Sequence, residues 1–380
     1  MLTCRGLREG PAALLTFAVA STVCLLADIA VHAQAGREVS TTARTGSELY
    51  ESACAACHGK DGTGQPQDTV GFDTPLPDFT DCAYATPEQD ADWLAIIARG
   101  GPVRAFDRRM PAFGDALSDE DILKILGHVR TFCTNKNWPR GELNLPRPFV
   151  TEKAFPENEA VWMIGAARRG VRNEFVYERR LGSRTQVEAV VPFEMQDVNA
   201  GGWHRGLGDV AVAVKRVMFH SLDRGSIISA GGELSVPTGS ERSGLGKGFS
   251  VVEPFVAVGQ ILPSNGFLHL QTGLEVPAGR VGAAKEAFWR ATAGKSFFEG
   301  GIGRSWSPMI EVLGARELTN RMPVEWDVLP QMQVTLSKRQ HVIVNAGVRI
   351  PLTQREERHS EVVTYLLWDW FDGGFLSGWR

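Results

Sequence analysis

The residues with the clearest chemical purpose form one short motif, Cys54-Ala55-Ala56-Cys57-His58. Two thiols three positions apart on a helical turn can each add across one vinyl group of a haem, and the following imidazole then faces the iron. This C-x-x-C-H spacing is typical of covalent c-type haem attachment. The alternative is a redox-active C-x-x-C followed by an unrelated histidine, but that requires a thioredoxin-like βαβ setting, which is absent here. The motif therefore predicts one covalent haem c, with Cys54 and Cys57 as thioether sites and His58 as an axial iron ligand.

The second axial ligand is expected from a methionine in a proline-bounded loop. Met110 lies in the segment RRMPAFG, where no helix directs its side chain; an ordinary core methionine is the alternative. His128 is the competing ligand, but it lies on a helix predicted to begin after the N-cap residue Ser118. The predicted buried face of that helix excludes His128 and consists of Ile122, Ile125, Leu126 and Val129. Met110 is therefore the preferred ligand, and Met/His ligation gives a comparatively high-potential, electron-transferring iron.

The sequence around these ligands resembles class I c-type cytochromes. The resemblance rests on GKDGTG directly after the haem motif, on MPAFG at Met110, and on the closing helix LSDEDILKILGHVRTF. It implies a small all-helical domain wrapped around the haem, which we assign to residues 36–135. The pair Cys82 and Cys133 departs from the family pattern. A disulfide between the middle loop and the last helix is its expected use.

Residues 1–35 are predicted to be a signal peptide. Arg5 and Arg8 precede an apolar stretch over residues 11–31, and Ala33-Gln34-Ala35 has the form of a signal-peptidase site. A retained membrane anchor is the alternative, because the apolar stretch is long for a signal. Export to an oxidising compartment leads us to expect that each cysteine left after removal of the signal peptide forms a covalent bond.

The charge of the chain is unevenly divided. The 380 residues include 40 Lys and Arg against 44 Asp and Glu, which argues against nucleic-acid binding driven by bulk positive charge. Residues 44–135 hold 8 basic and 15 acidic side chains, a net charge of −7. An acidic cytochrome attracts basic partners at low salt, so we expect a periplasmic redox carrier with a basic docking face. A generically soluble acidic surface is the alternative.

After a proline-rich segment the hydrophobic period changes from 3.6 to 2. Pro139, Pro146, Pro148 and Pro156 indicate a semi-rigid linker over residues 136–159. Alternating runs follow, most of 10 to 14 residues, the length that a tilted strand needs to cross a bilayer. Twelve runs are predicted as strands: 160–168, 174–180, 185–196, 209–220, 226–237, 249–262, 266–276, 286–297, 305–318, 325–337, 340–351 and 361–371.

The connections between these runs alternate between short turns and long polar loops, the pattern of outer-membrane barrels. Six tryptophans near strand ends or the C-terminus match an aromatic girdle: Trp289, Trp306, Trp326, Trp368, Trp370 and Trp379. A soluble β-barrel or sandwich would also alternate, but its apolar face would form a core. The other face is rich in Glu, Arg, Gln and Gly, which favours an antiparallel transmembrane β-barrel of about 12 strands over residues 160–380.

The predicted protein therefore has two domains, an all-α cytochrome c domain followed by a barrel in the bacterial outer membrane. With both axial positions occupied, the iron has no open site, so electron transfer is expected and enzyme activity is not indicated. The expected role is electron transfer by a haem tethered at the periplasmic face. Two alternatives stay open: a channel for small polar solutes with the cytochrome as redox sensor or plug, and a soluble periplasmic carrier with a β interaction module.

Overall fold

A computed structural model of the chain describes residues 44–72, 75–197, 202–298, 305–319, 322–356 and 358–370. The predicted signal peptide and Trp379 lie outside the described residues. From Thr45 onward the described residues belong to one compact unit. No helix within these ranges is both long enough and apolar enough to cross a bilayer.

The first part of this unit is helical. The described residues contain six α-helices: α1 (Gly46–Ala53), α2 (Ala55–His58), α3 (Gln67–Val70), α4 (Cys82–Ala85), α5 (Asp90–Arg99) and α6 (Asp119–Phe132). Short 3₁₀ turns lie at Gly101–Arg104, Gly141–Leu143 and Glu241–Ser243.

The first and the last of these helices begin at side-chain caps. Thr45 and Glu48 form a reciprocal capping box at α1. Ser118 accepts a hydrogen bond from the backbone N–H of Asp121 at the start of α6, as its sequence indicated. The predicted apolar face of α6 is buried, and it packs on α1 and α5 through a core that includes Leu49, Tyr50, Trp93, Ile97, Ile125 and Val129.

The second part is a closed antiparallel barrel, and its twelve strands confirm the predicted number. They are β1 (Glu159–Ala167), β2 (Gly170–Leu181), β3 (Thr185–Asp197), β4 (Trp203–Leu207 and Val210–Ser221), β5 (Ser226–Val236), β6 (Ser250–Leu262), β7 (Gly266–Ala278), β8 (Glu286–Lys295 and Phe297–Phe298), β9 (Ser305–Glu317), β10 (Glu325–Thr335), β11 (Val342–Pro351) and β12 (Glu361–Asp369). Each strand pairs with its neighbour in sequence. Pairing of β12 with β1, from Glu159 opposite Asp369 to Ala167 opposite Glu361, closes the barrel.

Two strands are much longer than predicted. β2 begins at Gly170, four residues early, so only two residues separate it from β1. Part of the loop predicted at 197–208 is instead an extension of β4, because Trp203–Leu207 pairs with the end of β3. We call the end of the barrel with the connections after β2, β4, β6, β8 and β10 the turn end, and the opposite end the loop end.

The two faces of the barrel have the inverse polarity of a soluble barrel. Met332 of β10 and Leu336, directly after this strand, are 39% and 44% exposed, whereas Gln331 and Thr335 of the other face are buried. Other buried polar side chains on the inner face include Glu178, Lys215, Ser229, Thr292, Glu311 and Asn345. A barrel with an apolar exterior and a polar interior suits a bilayer.

Aromatic side chains pair toward both ends of this apolar exterior. At the turn end, Trp306 stacks on Phe297 with ring centroids 4.5 Å apart. At the loop end, the rings of Trp289 and Trp326 meet edge to face at 5.6 Å. Such pairs are found where a membrane barrel meets the interfaces of the bilayer.

The proline-rich segment does more than connect the two parts. Residues 143–158, here called the lumen loop, leave the helical domain, enter the barrel from the turn end and return to that end at β1. Leu143, Phe155 and Glu157 are at most 1% exposed, and Leu143 and Phe155 pack on Val217, Ile227 and Phe255 of the inner wall. The predicted linker is thus largely an internal element of the barrel.

Candidate haem site

The haem-attachment motif lies where α1 ends and α2 begins. The N–H groups of Cys57 and His58 both donate to the carbonyl oxygen of Cys54, at 3.1 and 2.9 Å, and these bonds form the tight turn that brings both thiols to one side. Gly59 ends α2 with a φ of +74°, a conformation that favours glycine. Neither Cys54 nor Cys57 is in a disulfide, so both thiols are available for thioether formation.

His58 is held as a neutral imidazole. Its ring stacks on Phe79, with centroids 4.9 Å apart. Burial lowers the pKa of His58 to about 4, and its buried Nδ1 atom has no hydrogen-bond partner among the described residues. The unprotonated ring is the form that binds a metal ion.

Met110 is positioned by close backbone contact with the end of α5. The N–H of Gly101 donates to the carbonyl oxygen of Met110 at 3.0 Å, and the N–H of Phe113 donates to that of Ile97 at 3.0 Å. A Cβ atom on Gly101 would lie 2.2 Å from the carbonyl oxygen of Asp107, so only glycine allows this approach. The glycine fixes the loop on which Met110 is presented.

One cavity of about 520 Å³ brings these groups together. Its lining includes the motif residues Cys54, Cys57 and His58, the loop residue Met110, and apolar side chains of the helices, among them Phe79, Trp93, Ile97, Ile125 and Val129. A covalent haem with His/Met ligation requires two thiols, an imidazole, a thioether sulfur and an apolar wall. The residues of this cavity provide all of these, so they fit a haem.

His128, the competing ligand, lies elsewhere. Its ring contacts Tyr50 and Phe132, with centroids 5.2 and 5.0 Å away, and it is not part of the cavity lining. The arrangement favours Met110 for the position opposite His58.

A charged cluster forms one side of the same cavity. Asp92 is shared by Arg104 and Gln340: Arg104 Nε donates to its Oδ1 atom at 2.7 Å and Gln340 Nε2 donates at 2.8 Å. His341 Nε2 lies 2.8 Å from Glu88 Oε1. Burial, followed by the nearby charge of Glu88, raises the pKa of Asp92 to about 6.

Sequence reasoning missed this cluster. Gln340 and His341 belong to the connection between β10 and β11, which is 248 residues from Asp92 in sequence. A buried histidine beside a carboxylate leaves no signal in the sequence near either residue.

The extra cysteines of the helical domain are joined. Cys82 at the start of α4 and Cys133 at the end of α6 form a disulfide with a Cα–Cα distance of 5.1 Å, which closes a loop across 51 positions. It ties α4 to the end of the last helix.

The lumen loop is held at its deepest point by one carboxylate. Glu311 of β9 is fully buried and accepts hydrogen bonds from the N–H groups of Phe149 at 2.7 Å and Thr151 at 2.9 Å. The hydroxyl of Thr151 also donates to Glu311 at 2.9 Å.

Further ion pairs and hydrogen bonds surround this point. Lys215 of β4 lies 2.5 Å from Glu152 and donates to the carbonyl oxygen of Lys153 at 2.6 Å. Tyr365 of β12 donates to the carbonyl oxygen of Arg147 at 2.7 Å. The loop is therefore bonded to strands around the barrel wall.

Fold and site together define a cytochrome c domain fused to a barrel of the outer-membrane type. Residues 41–129 match the family model of the cbb3-type cytochrome C oxidase, subunit III. This range includes the haem motif, the Met110 loop and most of α6. A comparison with curated proteins finds no match.

Two solved structures are similar to part of the chain. The chain is similar to a KdgM porin, with 8% identity over 56% of this chain and 99% of the porin, at a TM-score of 0.38. It is also similar to an outer-membrane channel from Pseudomonas putida F1, with 11% identity over 59% of this chain and 100% of that channel, at a TM-score of 0.41.

Proposed function

We propose that this protein transfers electrons through one covalent haem c that the barrel fixes at the periplasmic face of the outer membrane. The carrying observation is the single cavity that gathers Cys54, Cys57, His58 and Met110. In this proposal the two thiols hold the haem and the imidazole and thioether are its axial ligands. The bound haem supplies a one-electron redox centre.

The ligand set favours electron transfer over catalysis. With His58 and Met110 both on the iron, no coordination position remains for a substrate, so electrons would pass by the outer-sphere route. Met/His ligation also favours a comparatively high potential.

The tethering role is supported by the lumen loop and the charged cluster. The loop connects the cytochrome domain to the barrel interior through bonds to Glu311, Lys215 and Tyr365. Gln340 and His341 of the barrel bind Asp92 and Glu88 of the cytochrome domain. Because short turns face the periplasm in bacterial barrels, the location of the cytochrome domain at the turn end supports a periplasmic position for it.

The two alternatives fit the molecule less well. An open solute channel is disfavoured, because residues of the lumen loop bond to the middle of the barrel wall. A soluble carrier is disfavoured by the exposed apolar side chains of the barrel, such as Met218 at 61% and Val212 at 51%.

We propose a soluble periplasmic carrier with a basic docking face as the redox partner. The net charge of −7 over residues 44–135 would attract such a partner at low salt. One haem at the turn end does not bridge an apolar band about 25 Å tall, so the exchange is assigned to the periplasmic side.

A haem-stained denaturing gel of the outer-membrane fraction, run with and without boiling, tests the proposal. We expect a haem-positive band whose mobility shifts on boiling, because covalent haem survives denaturation whereas a folded barrel does not. Haem staining confined to the soluble fraction would refute the tether. A heat-shifting band without haem would refute electron transfer.

A further inference from the structure

The buried guanidinium at the haem cavity, that of Arg104, has an N–H donor without a hydrogen-bond partner among the described residues. Arg104 is 5% exposed and lines the cavity. Its Nε atom donates to Asp92, but its Nη1 atom is buried and has no hydrogen-bond partner among the described residues. A guanidinium carries five N–H donors, and leaving one buried and unpaired is unfavourable. An anionic group in the cavity would satisfy it.

The barrel supplies a second cation to the same cavity. Arg339 lies in residues 336–341, the connection that joins β10 to β11 at the turn end. Its guanidinium lies over the ring of Phe106, 4.2 Å from the centroid, and its Nη2 atom donates to the carbonyl oxygen of Ala105 at 3.5 Å. Arg339 and Arg104 both line the cavity that contains the haem-attachment residues.

The position of Arg339 is fixed by the two residues that follow it. Gln340 adopts a φ of +65° and bonds to Asp92, the carboxylate that also holds Arg104. The imidazole of His341 bridges Glu88 of the cytochrome domain and Asp369 of β12, at 2.8 and 3.0 Å. This connection is therefore tied to both domains, and Arg339 directly precedes the two tied positions.

From this geometry we infer that the barrel completes the haem site, with Arg339 and Arg104 binding the haem propionates. The inference rests on the proposed function, since it requires that the cavity holds a haem. A haem carries two propionate carboxylates, and the fork of a guanidinium matches a carboxylate through paired N–H donors. The apolar side chains of the cavity would contact the haem macrocycle, and the two arginines would bind the propionates at its edge.

The electrostatic consequence is measurable. A cation beside the haem disfavours the ferric form, so its removal favours the ferric form and lowers the midpoint potential. Coulomb's law for unit charges about 10 Å apart, at an effective dielectric constant of about 30, corresponds to a change of roughly sixfold in the ferric/ferrous equilibrium constant.

The experiment compares Arg339→Gln with Lys338→Gln in the full-length haem protein purified in detergent. Lys338 is the exposed neighbour of Arg339 in the same connection, and it is not part of the cavity lining, so it serves as the matched control. We expect Arg339→Gln to shift the equilibrium several-fold toward ferric, Arg339→Lys to restore most of the difference, and Lys338→Gln to retain the wild-type potential.

Resonance Raman spectra of the wild-type protein provide a measurement that needs no variant. The propionate bending bands are expected at the frequencies of hydrogen-bonded carboxylates. Bands at the frequencies of solvent-exposed propionates, or equal potentials for Arg339→Gln and Lys338→Gln, would overturn the inference while haem binding stands. Purified wild-type protein without covalent haem would instead refute the proposed function.

Discussion

Glu311 is the residue whose replacement tests most directly whether the lumen loop closes the barrel. It accepts three hydrogen bonds of 2.9 Å or shorter from Phe149 and Thr151, and its side chain is fully buried. In Glu311→Ala all three donors lose their acceptor, and two of these donors are backbone N–H groups.

The size of the effect follows from these three bonds. Hydrogen bonds to a charged acceptor contribute about 1.5 kcal/mol or more each, and water admitted to the space would compensate part of the loss. A net loss of about 3 kcal/mol is therefore reasonable, which is a factor of roughly a hundred in the equilibrium between seated and released loop.

Single-channel recording in planar bilayers is the appropriate assay. We expect few openings for the wild type and about a hundredfold more time spent open for Glu311→Ala. Glu317→Ala is the matched control, because Glu317 lies on the same strand but is exposed near the loop end. Equal open times for Glu311→Ala, Glu317→Ala and the wild type would refute the reasoning, and so would a wild type that is already open.

Three further predictions concern the cytochrome domain and its contact with the barrel. Met110→Ala should abolish the sulfur-to-iron absorption band of the oxidised protein, and retention of that band would reject the ligand assignment. Cys82→Ser with Cys133→Ser should lower the free energy of unfolding by about 4 kcal/mol, because the bond closes a loop across 51 positions; denaturant titration followed at the Soret band measures this. Two carboxylates raise the pKa of His341 well above its usual value despite burial, so its stabilising effect is complete below about pH 6.5 and is lost as the pH rises through the raised pKa. The difference in melting temperature between wild type and His341→Gln should therefore shrink toward alkaline pH, and a difference that grows would contradict the assignment.

Local patterns account for what the sequence predicted correctly. The strands are predicted from a hydrophobic period of two, because successive side chains of a barrel strand point alternately outward and inward. β10 shows this alternation, with Met332 outside and Gln331 inside. The haem motif and the cap of α6 are likewise contained in a few consecutive residues. Predictions of this kind need no knowledge of distant parts of the chain.

Long-range contacts account for what the sequence did not reveal. Prolines 146, 148 and 156 correctly exclude a helix, but an extended segment in solvent and one inside a barrel have the same local composition. The acceptor for Thr151 lies 160 residues away, in β9. Arg339 meets Ala105 across 234 positions. Single-sequence reasoning has no means of pairing such residues.

The path of the lumen loop has a consequence for biogenesis. Because the lumen loop enters and leaves through the same mouth, it can be inserted without threading a domain through the ring of strands. The cytochrome domain, with its disulfide, can be completed before membrane insertion and never has to traverse the pore. Withdrawing the loop likewise breaks no strand pairing. The folded cytochrome domain and the folded barrel can therefore dock or undock without either of them unfolding.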